Sequence, residues 1–246
     1  MTRALRSRRA RFPRVIATGV AASLLAIARG ATAAAGDADA PALESPPSAV
    51  PQPARGATDR WLSVAALGGF TLPDPSLADY QWQIAPHGGW GAEALAGVGR
   101  LAGGMRVWTS ATRQEIGAPG APATTRVSTT SWELVGRATV ARVREVAVVA
   151  TASAGRIRLA YSPDRVTLAS GGGPVEVVFA PLDEWVGGAG LVFQKPFGRR
   201  WRAALQLEHR IFALDTAHRA GAVIVEERSN FGDWSARVAL ARHTHW

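Results

Sequence analysis

The chain has 246 residues, 47% hydrophobic and 19% charged, with 26 Gly, 15 Pro, 9 Trp and no Cys. That length fits one domain, or two small ones at roughly 150 residues each. The absence of Cys excludes a disulfide scaffold, a thiolate metal site, a cysteine nucleophile and a lipid-anchored N-terminal Cys.

The formal charge of +9 is unevenly placed. Arg3, Arg6, Arg8, Arg9, Arg11, Arg14 and Arg29 all precede the first acidic residue, Asp37. From residue 36 onward 21 basic side chains oppose 19 acidic ones, an excess too small for a nucleic-acid footprint. Residues 1–14 make a positive n-region and 15–28 an apolar run of 14 residues, short of the roughly 20 that a helix needs to span a bilayer. Ala31-Thr32-Ala33 and Ala33-Ala34-Ala35 both fit a small-residue cleavage site. Residues 1–35 therefore read as a secretory signal peptide. Ser7-Arg8-Arg9 loosely resembles a twin-arginine signal, but Arg11 stands where that motif wants Phe, so the general secretion route is expected. Residues 36–59 hold five Pro and no aromatic, too little apolar surface to offset ordering entropy, and read as a disordered linker.

From residue 60 the pattern has a period of two. Strands are expected at 60–70, 88–98, 101–113, 130–140, 144–153, 185–193, 201–213 and 234–246. The alternation is clearest in 201–213, where Trp201, Ala203, Leu205, Leu207, Ile211 and Ala213 share one face and Arg202, Gln206, Glu208 and Arg210 the other. In 234–246, Trp234, Ala236, Val238 and Leu240 oppose Asp233, Ser235, Arg237, His243 and His245. Tight links at 97–100, 141–144 and 195–200 alternate with longer ones at 71–87, 114–127, 154–182 and 214–229. An up-and-down meander with such links gathers its long loops at one end.

Charge on one face and apolar side chains on the other fit two arrangements. A soluble barrel turns the apolar face inward; a membrane barrel turns it out to lipid and keeps a polar lumen. Aromatic placement favours the second. Trp90, Trp132, Trp185 and Trp234 begin strands at the long-loop end, and Trp61, Phe193, Trp201 and Trp246 lie at the other, as two interfacial girdles would. Twelve steps from Trp234 to Trp246, at about 3.3 Å each and a tilt near 40°, cover roughly 30 Å, close to the height of such a band.

The alternating strand 234–246, with Val238, Leu240 and a closing Trp246, resembles the terminal strand of bacterial outer-membrane barrels, although Arg242 and Thr244 depart from its apolar pattern. Together with the leader and the link alternation, residues 60–246 resemble small eight-stranded barrels of the OmpA transmembrane-domain and OmpX type. The resemblance implies an all-β, eight-stranded antiparallel up-and-down transmembrane β-barrel, an outer-membrane location, and partners in outer-membrane lipid, lipopolysaccharide and the barrel-assembly machinery, which would read Val238, Leu240 and Trp246. It also implies a monomer without cofactor or metal. A lumen of eight strands is just wide enough to be filled by side chains. Glu93, Arg106, Glu133, Arg137, Arg202, Glu208, Arg210 and Arg237 would form an internal ion-pair network there, since buried charges must pair.

Little else carries chemistry. There is no P-loop, G-x-S-x-G or H-E-x-x-H. His243 and His245 share a strand face but lack an obvious third metal ligand. His87 and His218 lie in or beside long links with nearby Asp residues, but none of the motifs of lipid A-modifying barrel enzymes is visible. Arg156, Arg158 and Arg165 in the third long link could meet lipopolysaccharide phosphates. Three classes stay open: a non-enzymatic envelope barrel with a structural or surface-interaction role, a narrow channel, and a soluble periplasmic ligand-binding barrel.

Overall fold

The computed structural model describes residues 60–80, 82–118, 121–170, 173–220 and 223–245. Residues 1–59, where the leader and linker are expected, and Trp246 lie outside them. Ten strands run β1 (Arg60–Leu72), β2 (His87–Val98), β3 (Leu101–Ala118), β4 (Ala121–Val143), β5 (Val146–Ser162), β6 (Arg165–Ser170), β7 (Gly173–Val178), β8 (Leu182–Phe197), β9 (Trp201–Ala220) and β10 (Val223–His245). Eight of them close a barrel in the order β1-β10-β9-β8-β5-β4-β3-β2, every pair antiparallel. The remaining two, β6 and β7, pair only with each other. Closure leaves no free sheet edge, because β1 pairs with β10 from Trp61↔His245 to Leu72↔Trp234.

The tight links have the chemistry of tight turns. Val98 pairs with Leu101 across Gly99-Arg100, and Val143 with Val146 across Arg144-Glu145. Gly99 and Arg144 take positive φ values of 57° and 54°, as short hairpin turns require.

The long links depart from the sequence reading. Residues 114–127 and 214–229 are mostly strand: β3 and β4 pair out to Ala118↔Ala121, and β9 and β10 to Ala220↔Val223. In these ribbons the one-sided apolar alternation that marks a strand fades, because inward positions such as Val127 and Leu214 are themselves apolar. Within 154–182, β5 continues to Ser162, which puts Arg156 and Arg158 on a strand instead of a loop, and β6–β7 form a separate hairpin. The first link carries a 3-10 turn at Pro75–Tyr80.

Burial along the strands is inverted relative to a soluble protein. Leu62, Val64, Trp90, Met105, Leu134, Leu205, Ile211, Val238 and Leu240 point outward and are exposed. Arg106, Glu133, Glu208, Arg210 and Arg237 point inward, each no more than 2% exposed.

Candidate functional site

The lumen is filled in layers. At the loop end Val127, Ile157, Leu159, Val186, Phe212, Leu214 and Phe231 pack into an apolar cap with Leu77 of the 3-10 turn. The turn's segment is tied down from two sides. The Gln114 amide donates to the Tyr80 carbonyl at 2.9 Å and the Thr112 hydroxyl to the Gln83 carbonyl at 3.0 Å. The Gly232 N–H donates to Asp74 Oδ2 at 2.8 Å, while Ser76 donates its N–H and hydroxyl to Oδ1 at 2.9 and 2.6 Å. Burial alone would push the Asp74 carboxyl up; these three donors outweigh it and hold the group below its ordinary value.

Beneath the cap lies the charged layer. Arg106 Nη2 donates to Glu133 Oε2 and, at 2.7 Å, to Glu208 Oε1. Arg237 Nη1 donates to Glu208 Oε2 at 2.8 Å. Arg210 clasps Asp233 through Nε and Nη2, at 2.8 and 2.6 Å, and reaches Glu133 at 3.4 Å. Ser131 and Ser153 donate to Glu133 and Glu208 at 2.7 and 2.6 Å. Three guanidiniums thus face three carboxylates, contributed by β3, β4, β9 and β10, which is the condition for burying them at all. Gly188 on β8 makes room: a Cβ there would lie 2.6 Å from Glu208 Oε1. Trp108, fully buried, covers the layer with its ring 4.8 Å from the Arg237 guanidinium. A second pair, Arg137 to Glu93 at 2.8 Å, sits nearer the turn end. A layer of mostly small apolar side chains, among them Ala65, Ala147, Ala204, Ala239 and Ala241, follows.

Seven of the eight residues expected in the lumen are inside and ion-paired: Glu93, Arg106, Glu133, Arg137, Glu208, Arg210 and Arg237. Arg202 is the exception. It stands one level past Ala204, too near the mouth to reach a carboxylate of the layer, and its contact is His243 Nε2 at 3.0 Å. Asp233 and Ser131, which the alternation puts on the polar face, and Ser153, which it did not, complete the network. Trp108 was also missed, although two residues after inward-facing Arg106 it had to share that face.

The outer aromatics divide. Trp90, Trp132, Trp185 and Trp234 at the loop end and Trp201 at the turn end point outward and are exposed. Phe193, half-buried, sits on the outward register between Val148 and Leu205. Trp61 does not join them. It shares the inward parity of Ser63 and Ala65, stacks on His243 at 4.7 Å and covers Gly97 at the turn-end mouth. The sequence placed it in a girdle because 60–70 has apolar residues on both faces, so parity there was ambiguous. Val238 and Leu240 lie on the outer face. Trp246 and the side chain of His218 fall outside the described residues. His87 begins β2, with Nδ1 at 3.4 Å from the Ala85 carbonyl. His243 and His245 meet edge to face at 4.6 Å, and the described residues hold no group of three or more His, Asp or Glu placed for a metal. Arg156 lies over the Trp185 ring at 5.0 Å on the outer face, and Arg165 pairs with Glu176 at 3.8 Å on the hairpin.

No protein-family description and no curated protein matches the sequence. Solved structures with a similar fold include Neisserial surface protein A, at 9% identity over 74% of this chain and 96% of that one, with a TM-score of 0.42. Ail, the attachment invasion locus protein of Yersinia pestis, is similar at 11% identity over 76% and 99%, with a TM-score of 0.37. The N-terminal β-barrel domain of Pseudomonas aeruginosa OprF is similar at 12% identity over 74% and 97%, with a TM-score of 0.32. The architecture itself rests on this chain's own ladder: eight antiparallel strands in a closed ring.

Proposed function

We propose that residues 60–246 form an outer-membrane β-barrel, delivered by a cleaved leader at 1–35, with a non-enzymatic, structural or surface-interaction role carried by its loop-end ribbons. One observation carries the reading: the inverted burial. Side chains that a soluble protein hides, such as Val238 at 62% and Leu134 at 66%, are on the outside, while Arg210 and Arg237 at 0% are within. Water around that exterior would cost about 25 cal/mol for every Å² of apolar surface left wet. Lipid removes the cost and demands a closed barrel. On β9 the outward face runs from Trp201 to Ile211; ten steps at about 3.3 Å, tilted about 40°, give roughly 25 Å, the height of an outer-membrane apolar band.

The filled lumen supports a structural role over a channel. The apolar cap and the neutral ion-pair layer both set buried side chains across the interior. Above the band, β3–β4 and β9–β10 project as ribbons, and Arg228 bridges Glu184 and Asp215 at 2.7 Å each to brace the second. The outward Arg156, between Trp132 and Trp185 in register, and Arg158 two residues on suit contact with lipopolysaccharide phosphates. Val238 and Leu240 suit recognition by the assembly machinery, and a closed ring suits a monomer.

The test is electrophoresis of the detergent-folded chain with and without boiling, followed by planar-bilayer recording. A heat-dependent mobility shift and an absence of conductance are expected. Solubility of the folded chain without detergent would overturn the membrane reading, and steady conductance would overturn the plugged lumen.

A further inference from the structure

The ion-pair layer is charge-balanced; the turn end of the lumen is not. Within the small-residue layer the interior widens into a vestibule of about 380 Å³, walled in part by Ala65, Ala147, Ala204, Ala239 and Ala241. Among the described residues Arg100, Arg137, Arg142 and Arg202 line it against a single carboxylate, Glu93, which Arg137 already engages at 2.8 Å. Among the described residues no carboxylate forms an ion pair with Arg100, Arg142 or Arg202. The nearest polar partner of Arg202 is the imidazole of His243, itself a base. At the inner wall stands Gln206, 1% exposed, and neither end of its amide has a hydrogen-bond partner among the described residues. A buried amide without partners costs free energy, and Arg100, Arg142 and Arg202, the first two exposed, line one mouth without an ion-paired carboxylate among them. An anion placed among the guanidiniums relieves the second, and a polar part of the same ligand reaching Gln206 relieves the first.

The arrangement also selects the kind of anion. Guanidinium forks match phosphate oxygens in pairs, and a phosphate offers enough acceptors to serve several forks and an amide N–H together. The recess has the size of a small-molecule pocket and reaches inward as far as Gln206. We propose that the turn-end vestibule binds a small phosphorylated ligand, its phosphate held among Arg100, Arg142 and Arg202, with the Gln206 amide at the inner wall. A free phosphate ester and a lipid headgroup phosphate share this chemistry.

The experiment titrates the full mature chain, folded in zwitterionic detergent, with pyrophosphate by calorimetry. One saturable site is expected. Arg142→Ala and Arg202→Ala should each weaken it by about tenfold or more, the worth of a charge-assisted contact. Gln206→Leu should weaken it with no change of charge, and Arg199→Ala, on the outer turn and away from the vestibule, should leave it unchanged. Unheated electrophoretic mobility shows that each variant is folded; if Arg142→Ala is not, Arg142→Gln takes its place. Repeating the titration in nanodiscs separates the sources. Loss of pyrophosphate binding only in phosphatidylglycerol discs assigns the site to headgroups; retention in those and in phosphatidylcholine discs assigns it to a free ligand. Absence of saturable binding in detergent, or equal weakening by Arg199→Ala, overturns the proposal.

Discussion

Arg210 and Asp233 stand directly opposite each other in the β9–β10 ladder and meet inside the lumen as a two-pronged ion pair, Nε to Oδ1 at 2.8 Å and Nη2 to Oδ2 at 2.6 Å. The register that closes the barrel therefore also sets the charge pairing. A slip by one residue would turn Arg210 to the exterior and His209 to the interior, so the pair pins the register as well as filling space.

Breaking that pair on one side should be far worse than removing it whole. Asp233→Ala leaves the Arg210 guanidinium with only the 3.4 Å contact to Glu133 and a long contact to Ser131. A buried charge stripped of its partner costs about 3–5 kcal/mol. The double variant Arg210→Met/Asp233→Leu removes both charges at similar volume and should recover most of the loss. Urea unfolding in lipid vesicles measures both. Equal destabilisation in the two would mean that shape, not charge balance, dominates the layer.

Gly188 tests how tightly the layer is packed. Gly188→Ala puts a Cβ 2.6 Å from Glu208 Oε1 and 2.9 Å from Ser153 Oγ. Glu208 accepts from Arg106, Arg237 and Ser153 and cannot retreat without stretching all three. Overpacking of this kind costs about 1–3 kcal/mol. By contrast Gly136, which has open space at its Cβ position, should accept Ala with little effect. A like response at both positions would count against a rigid layer.

Asp74 gives the loop end a pH dependence. Its folded-state pKa is lowered, so the stability it contributes is present above its unfolded pKa of 3.8 and lost as pH falls through the lower folded value. Acidification should release Gly232 and Ser76 from the carboxylate and loosen the Pro75–Tyr80 segment before the barrel itself yields. Protease cleavage within 73–86, followed from neutral pH to below pH 3.8, should rise only at the acid end. Asp74→Asn should flatten the profile, and an unchanged profile in that variant would remove Asp74 as the cause.

The barrel was legible from sequence where one face met charge and the other did not, as in 201–213, where Arg202, Gln206, Glu208 and Arg210 fix the parity. It was not legible above the band. There Phe212, Leu214, Ile157 and Leu159 point inward, so the apolar face changes sides along a single strand. Two readings with opposite parity then overlap and cancel. The same holds at 60–70, where inward Ala65 and Leu67 face outward Leu62 and Val64, and Trp61 was assigned to the wrong side. The lumen charges were readable as a set because ionised groups on one strand face must find partners. Which carboxylate each Arg takes, and that Arg202 takes none, depends on the stagger between strands, which no single strand encodes.

The solvent of the outer face is decided by a charge placed on it. Val238 points outward at 62% exposure, between Ala236 and Leu240 on the same face, and pairs with Leu205 on β9 and Gly68 on β1. If that face met water, Val238→Arg would be harmless or would improve solubility, because surface substitutions away from special features change stability by about 0.5 kcal/mol or less. In lipid the same Arg sits near the middle of the apolar band, where it costs about 2–4 kcal/mol, while an Arg near an interface costs about 0–1 kcal/mol. The natural sequence already keeps that rule: Arg242, four residues further along the same face, lies at the turn end beside Trp201. Trp201→Arg is the matched control, since it adds the same charge at the band's edge. Urea titration of refolding into lipid vesicles should show Val238→Arg destabilised by about 2–4 kcal/mol and Trp201→Arg by clearly less. Indifference of the chain to Arg at Val238 would mean that its exterior does not face lipid.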